Sequence, residues 1–478
     1  MIDKMKFIST KIFLLLYLTS CASITFGQAR PDSTVLSYNE YVENILLFHP
    51  VAQKANLKDY YAKAELMQAR GALDPTILAD WDEKNFDDKL YYKKYQAKLK
   101  FPTSFGLSFV GGYENTEGNY INPENKTDEY GLWHMGVEMD VLSGLLVNER
   151  KTAIRQAKVY QYLARNEQNI ILSDLLYNAL YAYHTWQMYH YYMQVLTENI
   201  AIARVYFDNT RKSFLQGEKT AMDTLETFIL YQDAVGVYNK NELYLIKSKN
   251  TVENYLWFNE AAVTLQSHVT PESYKSFFND KKLYYDSVQV YNHPNIQASI
   301  NKLSLLEIEQ RLKREKLKPK LKFKYNALVT TKGNAHMHTL DFDNNKIGFG
   351  FSMPLFLRSE RADVKKGRLK IREIELDIQN KKNELLNKLE ASWENQELLK
   401  EQIVLFDQNV DNYKRLLNGE NEKYLYGESS VFLLNKRQEK YINSQLKLTE
   451  SYFNHHIELL TFLYYSNQLI PTPIVPLE

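Results

Sequence analysis

The sequence predicts a mainly α-helical protein with two β regions, written as two internal repeats whose long helices form coiled-coil hairpins. Three observations predict it. Two stretches of roughly sixty to seventy residues pass almost without Gly or Pro. Within them apolar residues step by four and three, the spacing of a packed helical seam. Five short matches also recur in the same order in the two halves of the chain. The 478 residues include only 17 Gly and 12 Pro, which favours long uninterrupted elements.

The bulk composition excludes several function classes. Lys and Arg total 59 against 58 Asp and Glu, a net charge of +1, so the chain lacks the basic excess that neutralises nucleic-acid phosphates. A single Cys rules out an internal disulfide and a four-thiolate zinc site. No HExxH, GxSxG, P-loop or dinucleotide fingerprint is present, so neither an enzymatic activity nor a cofactor is expected. Tyr is abundant, at 36. Its apolar ring and wet hydroxyl suit places such as a membrane interface.

Residues 1–28 read as a signal peptide. Lys4, Lys6 and Lys11 precede the apolar run from Ile12 to Leu18, which is too short to span a bilayer. Small residues follow at Ser20, Ala22 and Gly27, with cleavage expected near Gln28 or Ala29. Leu18-Thr19-Ser20-Cys21 also fits a lipoprotein signal, in which Cys21 would be lipidated, and both readings stand. No later segment holds about 18 consecutive apolar residues. If the mature chain enters a membrane, it must do so as a closed β-barrel.

The repeats place the elements. Phe48-His49-Pro50 answers Asn292-His293-Pro294, and Pro75 answers Pro319, both 244 positions later. Gly136-Val137-Glu138-Met139 answers Gly350-Phe351-Ser352-Met353 at 214, and Asn148-Glu149-Arg150 answers Ser359-Glu360-Arg361 at 211. Phe214-Leu215-Gln216-Gly217-Glu218 answers Tyr424-Leu425-Tyr426-Gly427-Glu428 at 210. The first copy is therefore 30 residues longer between Pro75 and Gly136, as a surface loop or hairpin would allow. The expected division is a first repeat over 29–266, a linker over 267–290, a second repeat over 291–466 and a C-terminal tail over 467–478.

Each repeat opens with an amphipathic helix; the first has Ser37 as N-cap and Glu40 three residues on, and ends near Gly71 or Pro75. Strands follow, over about 76–142 in the first copy and about 320–356 in the second. Leu90 to Leu99, Ser104 to Tyr113 and Gly131 to Leu142 carry strand character in the first, Leu321 to Thr330 and Ile347 to Leu355 in the second. A long helix then starts near Asn148 and near Ser359. At 1.5 Å per residue each would reach roughly 90 to 105 Å. Leu399, Ile403, Phe406, Val410, Tyr413 and Leu417 form its seam, and the positions 210 earlier are all apolar: Tyr189, Met193, Leu196, Ile200, Ala203 and Phe207. Gly217 and Gly427 then stop the helices, and Thr220 and Ser430 can cap helices returning over about 221–256 and 431–462.

This repeated order resembles the TolC-like outer-membrane efflux family. The matching residues are His49-Pro50 and His293-Pro294, Pro75 and Pro319, Met353-Pro354-Leu355-Phe356 with Arg361, and the turn from Tyr424 to Ser430. The resemblance implies an outer-membrane location with a periplasmic helical extension. It implies a homotrimer in outer-membrane lipid, each subunit giving four strands to a shared twelve-stranded transmembrane β-barrel and its helices to an α-barrel. Such a channel is a passive exit duct of a tripartite efflux or type I secretion system, coupled through a periplasmic adaptor protein to an inner-membrane transporter. An exported coiled-coil scaffold or adhesin without a pore is the alternative. The sequence departs from the family where His, not the usual Asn, precedes Pro, where Asp140-Val141 stands opposite Pro354-Leu355, and in its longer first strand region, which has room for four strand segments instead of two and leaves open which pair crosses the bilayer.

By the same match, Leu215, Gly217, Leu425 and Gly427 would be the adaptor-docking tips, although the glycines also read simply as helix stops. The resemblance also implies acidic residues just inside the entrance, which makes Asp223 and Glu226 the candidate pore gate; a carboxylate repeated around an axis concentrates negative field. The same acids also read as helix-dipole partners. Their counterparts are Leu433 and Lys436. His134, His336 and His338 lie in or near strands and are expected on the surface or lining the pore. Adjacent His455 and His456 face different sides of a helix, which argues against a shared metal.

Overall fold

The computed structural model describes residues 34–275, 287–331 and 338–470. Residues 1–33 with Cys21, His336, and parts of the expected linker and C-terminal tail lie outside them. Within them the order helix, strands, long helix and returning helix occurs twice, with one more helix and two more long strands in the first half.

The first half opens with α1 (Tyr38–Phe48) and α2 (Pro50–Gly71). The sequence reading gives one helix here; the chain breaks it at His49-Pro50. Pro50 has no N–H to continue the ladder and pushes the preceding residue out of helical space, and His49 is extended at φ −67°, ψ 131°. Ser37 Oγ caps α1 by accepting from Glu40 N at 3.2 Å. The imidazole of His49 caps α2: Nδ1 accepts from Val51 N at 3.1 Å.

Four strands follow: β1 (Thr76–Phe86), β2 (Lys89–Pro102), β3 (Leu107–Glu117) and β4 (Leu132–Asp140). Asn148 Oδ1 then caps α3 (Glu149–Leu215) through Lys151 N at 2.9 Å, and α4 (Ala221–Glu253) returns. With 67 residues, α3 is about 100 Å long.

The second half gives α5 (Pro294–Glu315), β5 (Lys320–Thr331), β6 (His338–Ser352), α6 (Arg358–Leu425) and α7 (Val431–Tyr465). His293 repeats the cap of His49, its Nδ1 accepting from Asn295 N at 3.2 Å. Its Nε2 lies 3.3 Å from the Tyr464 carbonyl, tying the start of α5 to the last turn of α7. This explains the His in place of Asn. A neutral imidazole offers the same acceptor to the helix N-terminus and has a second nitrogen for the returning helix.

These six long strands form one antiparallel sheet in the order β6-β5-β4-β3-β2-β1. Four of them fall in the first half, the larger of the two counts that its longer strand region allows. The sequence reading missed β1 because Asp80, Asp82 and Glu83 fall within it, residue types that strands disfavour. The sheet is open, with β1 and β6 as its edges.

The main core lies where α1 and α2 pack on the middle of α3, near the ends of α4 and α7. Tyr41, Ile45, Leu176, Leu180, Tyr183 and Trp186 are buried in it. Its polar atoms are matched: Tyr41 Oη donates to the Ala179 carbonyl at 3.3 Å, and Tyr183 Oη to the Leu36 carbonyl at 2.7 Å. Farther along, Leu417 of α6 packs with Leu434, Tyr441 and Ile442 of α7. The heptad positions therefore face the returning helices; Leu196, Ala203 and Ile403 are fully buried.

Candidate functional site

The two ends of the molecule carry the residues the sequence singles out. At the far end of the rod, each long helix stops in the same way. Glu218 N donates to the Ser213 carbonyl and Gly217 N to that of Phe214; Glu428 N and Gly427 N repeat this with Lys423 and Tyr424. These are Schellman pairs, which need a left-handed residue, and the φ values are 78° at Gly217 and 77° at Gly427. No atom lies within 4 Å of where a Cβ would sit on either glycine, so backbone conformation, not crowding, calls for glycine there.

The turns bring Leu215, Gly217, Leu425 and Gly427 to one end of the molecule. Lys219 of the first turn lies over the Tyr424 ring at the second, 4.7 Å from its centre, so the tips stand side by side. Leu215 and Leu425 are each 75% exposed, with Met222, Tyr426 and Phe432 exposed around them. Apolar side chains thus project from a helical end instead of packing beneath it.

The tips differ in bracing. In the first, Thr220 and Asp223 form a complete capping box: Asp223 N donates to Thr220 Oγ1 at 3.2 Å, and Thr220 N donates to Asp223 Oδ2 at 2.9 Å. These bonds from the Thr220 backbone and hydroxyl hold the Asp223 carboxyl below its usual range. Asp223 is therefore ionised at neutral pH and engaged in the cap; Glu226, one turn on, is half-buried. In the second, Leu433 cannot complete the box. Glu420 braces it instead, accepting from Ser429 Oγ at 2.5 Å and Arg437 Nε at 3.3 Å.

At the other end the sheet has two chemically distinct faces. Register across five strands aligns Phe101, Phe109, Val137, Tyr325 and Ile347 in one row. The next row aligns Ile77, Leu99, Gly111, Met135 and Ala327, and the one after it Ala79, Ala97, Tyr113, Trp133 and Val329. Side chains alternate along a strand, so the rows share one face. That face is apolar, with Tyr113 and Trp133 in ring contact at 4.9 Å. The opposite face holds Asp80, Asp82, Lys94, Lys98, Glu138 and Lys324. Lys98 and Lys100 of β2 both reach Glu138 of β4, at 2.7 and 2.5 Å. His134 is on this charged face but buried, 4.0 Å from Glu114.

His455 and His456 are both buried, and the His456 ring lies 5.0 Å from that of His184 on α3. The sequence reading missed His184, which stands some 270 residues away in the chain. Among the described residues no group of three or more His, Cys, Asp or Glu could hold a metal ion. No described helix is long and apolar enough to cross a membrane.

Solved structures share this arrangement of a strand sheet on a long helical rod. The Campylobacter jejuni CmeC outer membrane channel aligns over 90% of this chain and 85% of its own, with a TM-score of 0.65 at 12% identity. VceC, an outer membrane protein of Vibrio cholerae, aligns over 90% and 95%, with a TM-score of 0.65 at 13% identity. The Neisseria gonorrhoeae MtrE outer membrane channel aligns over 89% and 88%, with a TM-score of 0.62 at 12% identity. The chain has the fold of the TolC-like outer-membrane channels. No protein-family model matches the sequence, and no curated protein is similar to it. The resemblance read from the repeated order thus agrees with the fold, although identity is only 12–13% in these three alignments.

Proposed function

We propose that this protein is the outer-membrane subunit of a tripartite efflux or type I secretion system, a passive exit duct and not an enzyme. The observation that carries the reading is the sheet: one face is largely apolar and the other carries most of its charged side chains, on a fold shared with outer-membrane channels. Lipid tolerates no open strand edge, so the sheet requires other copies of itself to close. A homotrimer meets that requirement, with the apolar face toward lipid and the charged face toward a water-filled lumen. The long helices of three copies then form a periplasmic α-barrel.

The tips are the docking surface for a periplasmic adaptor, which connects the duct to an inner-membrane transporter. Support comes from the exposed Leu215 and Leu425 beside the left-handed glycines Gly217 and Gly427. Asp223 and Glu226 stand just inside that entrance as its gate. Three copies of an ionised Asp223 would gather cations there. The repeated order of elements reads as an internal duplication.

Outer-membrane fractionation followed by light scattering of the detergent-extracted protein tests the assignment. A trimer from that membrane is expected. A water-soluble monomer, as an exported coiled-coil scaffold would give, overturns it.

A further inference from the structure

Between Pro75 and Gly136 the first half is 30 residues longer than the second. The structure accounts for that length. Strand β4 answers β6 and, by the Pro75–Pro319 match, β1 follows its helix as β5 does, so the extra length supplies two further strands and makes the β1–β2 hairpin of residues 76–102 the outermost pair of the sheet. Its turn is tight: Asp87 and Asp88 have φ of 55° and 53°, the paired left-handed values of a two-residue hairpin loop. The added segment is therefore a stiff pair of strands, not a loose surface loop.

We propose that this hairpin is part of the membrane wall, so that each subunit contributes six strands and the closed channel is an eighteen-stranded barrel. The joint between neighbouring subunits is then β1 of one copy against β6 of the next. This rests on the trimeric channel reading above.

Four observations carry the inference. First, the hairpin continues the sheet without a break: β2 pairs with β3 from Lys93–Glu117 through Pro102–Ser108 and so occupies the edge that β3 would otherwise offer a neighbour. Second, its chemistry keeps the register of the sheet. Ile77, Ala79 and Trp81 extend the apolar face, while Asp80 and Asp82 extend the charged one. A hairpin lying outside the barrel would have no reason to keep that alternation in step with its neighbours.

Third, the hairpin is fastened on the lumen side and at its periplasmic end. Lys98 and Lys100 span β3 to reach Glu138. The turn joining β2 to β3 is held to the start of the rod, with Asn148 Nδ2 donating to the Ser104 carbonyl at 3.0 Å and Asp140 N to that of Gly106 at 3.2 Å. Fourth, every strand is long enough. The shortest, β4, has 9 residues and β1 has 11, against the roughly 9 to 11 that a tilted transmembrane strand needs. Six strands alternating in direction also leave antiparallel edges, so β1 and β6 of successive copies can pair around a closed ring. Barrel diameter grows about linearly with strand number, so this barrel would be about one and a half times as wide as a twelve-stranded one.

Electron cryomicroscopy of the detergent-extracted protein counts the strands. Eighteen in a three-fold barrel is the expected result; twelve, with the hairpin outside the wall, overturns the inference but leaves the channel assignment standing. A particle with no barrel removes both. Disulfide trapping gives an independent readout. Ala79→Cys or Trp81→Cys combined with Ile347→Cys or Phe349→Cys should yield linked dimers and trimers as the main oxidised species. Phe109→Cys with Phe349→Cys should yield none. The reverse pattern in a three-fold particle would assign the subunit joint to β3 and overturn the proposal.

Discussion

The two halves of the chain run through the same elements and agree closely at some points while diverging at others. They agree where backbone geometry leaves little choice. His49 and His293 cap helices that begin with Pro, and Gly217 and Gly427 adopt nearly the same left-handed φ. They diverge where several solutions serve. The first tip is braced by the Thr220–Asp223 box and the second by Glu420 with Arg437. The first half carries six helical and strand elements before its long helix, the second only three. Position-specific backbone demands thus mark the shared scaffold, and the halves differ where side chains alone do the bracing.

The largest expected effect concerns the contact between halves, where His184 of α3 meets His456 of α7. Burial pushes His184 down to about 4, with Gln187 Oε1 at 3.0 Å opposing that shift. Tyr38 and Tyr183 also face it. Burial likewise pushes His455 down to about 4; Lys400 adds to the shift and Glu397 opposes it. His456 is held well below its usual value by burial and by the two neighbouring histidines. These groups are neutral when folded and would take protons more readily when unfolded. Their contribution is therefore intact above pH 6.5 and is lost as pH falls toward 4, by on the order of 3 kcal/mol for His184 alone. Thermal unfolding across that range should show a fall in stability that is reduced in His184→Gln.

The next effect tests the equivalence of the tips. Gly217→Val and Gly427→Val each force a β-branched residue into left-handed space, at a local cost of about 1–3 kcal/mol. Both should abolish transport while leaving the trimer intact on light scattering. Full transport by either variant would remove that tip from the docking surface.

Smaller again is the cap. His293→Ala should lose about 1 kcal/mol, and His293→Asn should recover most of it by offering a side-chain acceptor to Asn295 N. His49 should behave the same way if the two sites are equivalent. Denaturant unfolding of the four variants measures this. The smallest effect belongs to Asp223→Asn, which should weaken cation preference in single-channel recordings; unchanged selectivity would leave Asp223 as a cap alone.

Much of this was legible in the sequence, for identifiable reasons. The Gly turns and the Ser37 cap are local patterns whose partners lie within a few residues, and the heptad seam is a local spacing even though it packs on the returning helices. The length of the first strand region left room for four strands, but β1 itself was not legible. Strand β1 is acidic, and its membership in the sheet depends on pairing with β2 across a two-residue turn. The break at His49-Pro50 was visible as a motif, but the acceptor role of the imidazole was not, because it depends on side-chain orientation. The approach of His184 to His456 is a tertiary contact that no spacing encodes.

The central claim is that the chain forms a pore, and planar-bilayer recording of the outer-membrane extract tests it most directly. The account predicts discrete conductance steps that appear with the trimer fraction and shift when Asp223 or Glu226 is neutralised. A trimer fraction that never conducts, in the native protein or in variants opened at the entrance, would contradict it.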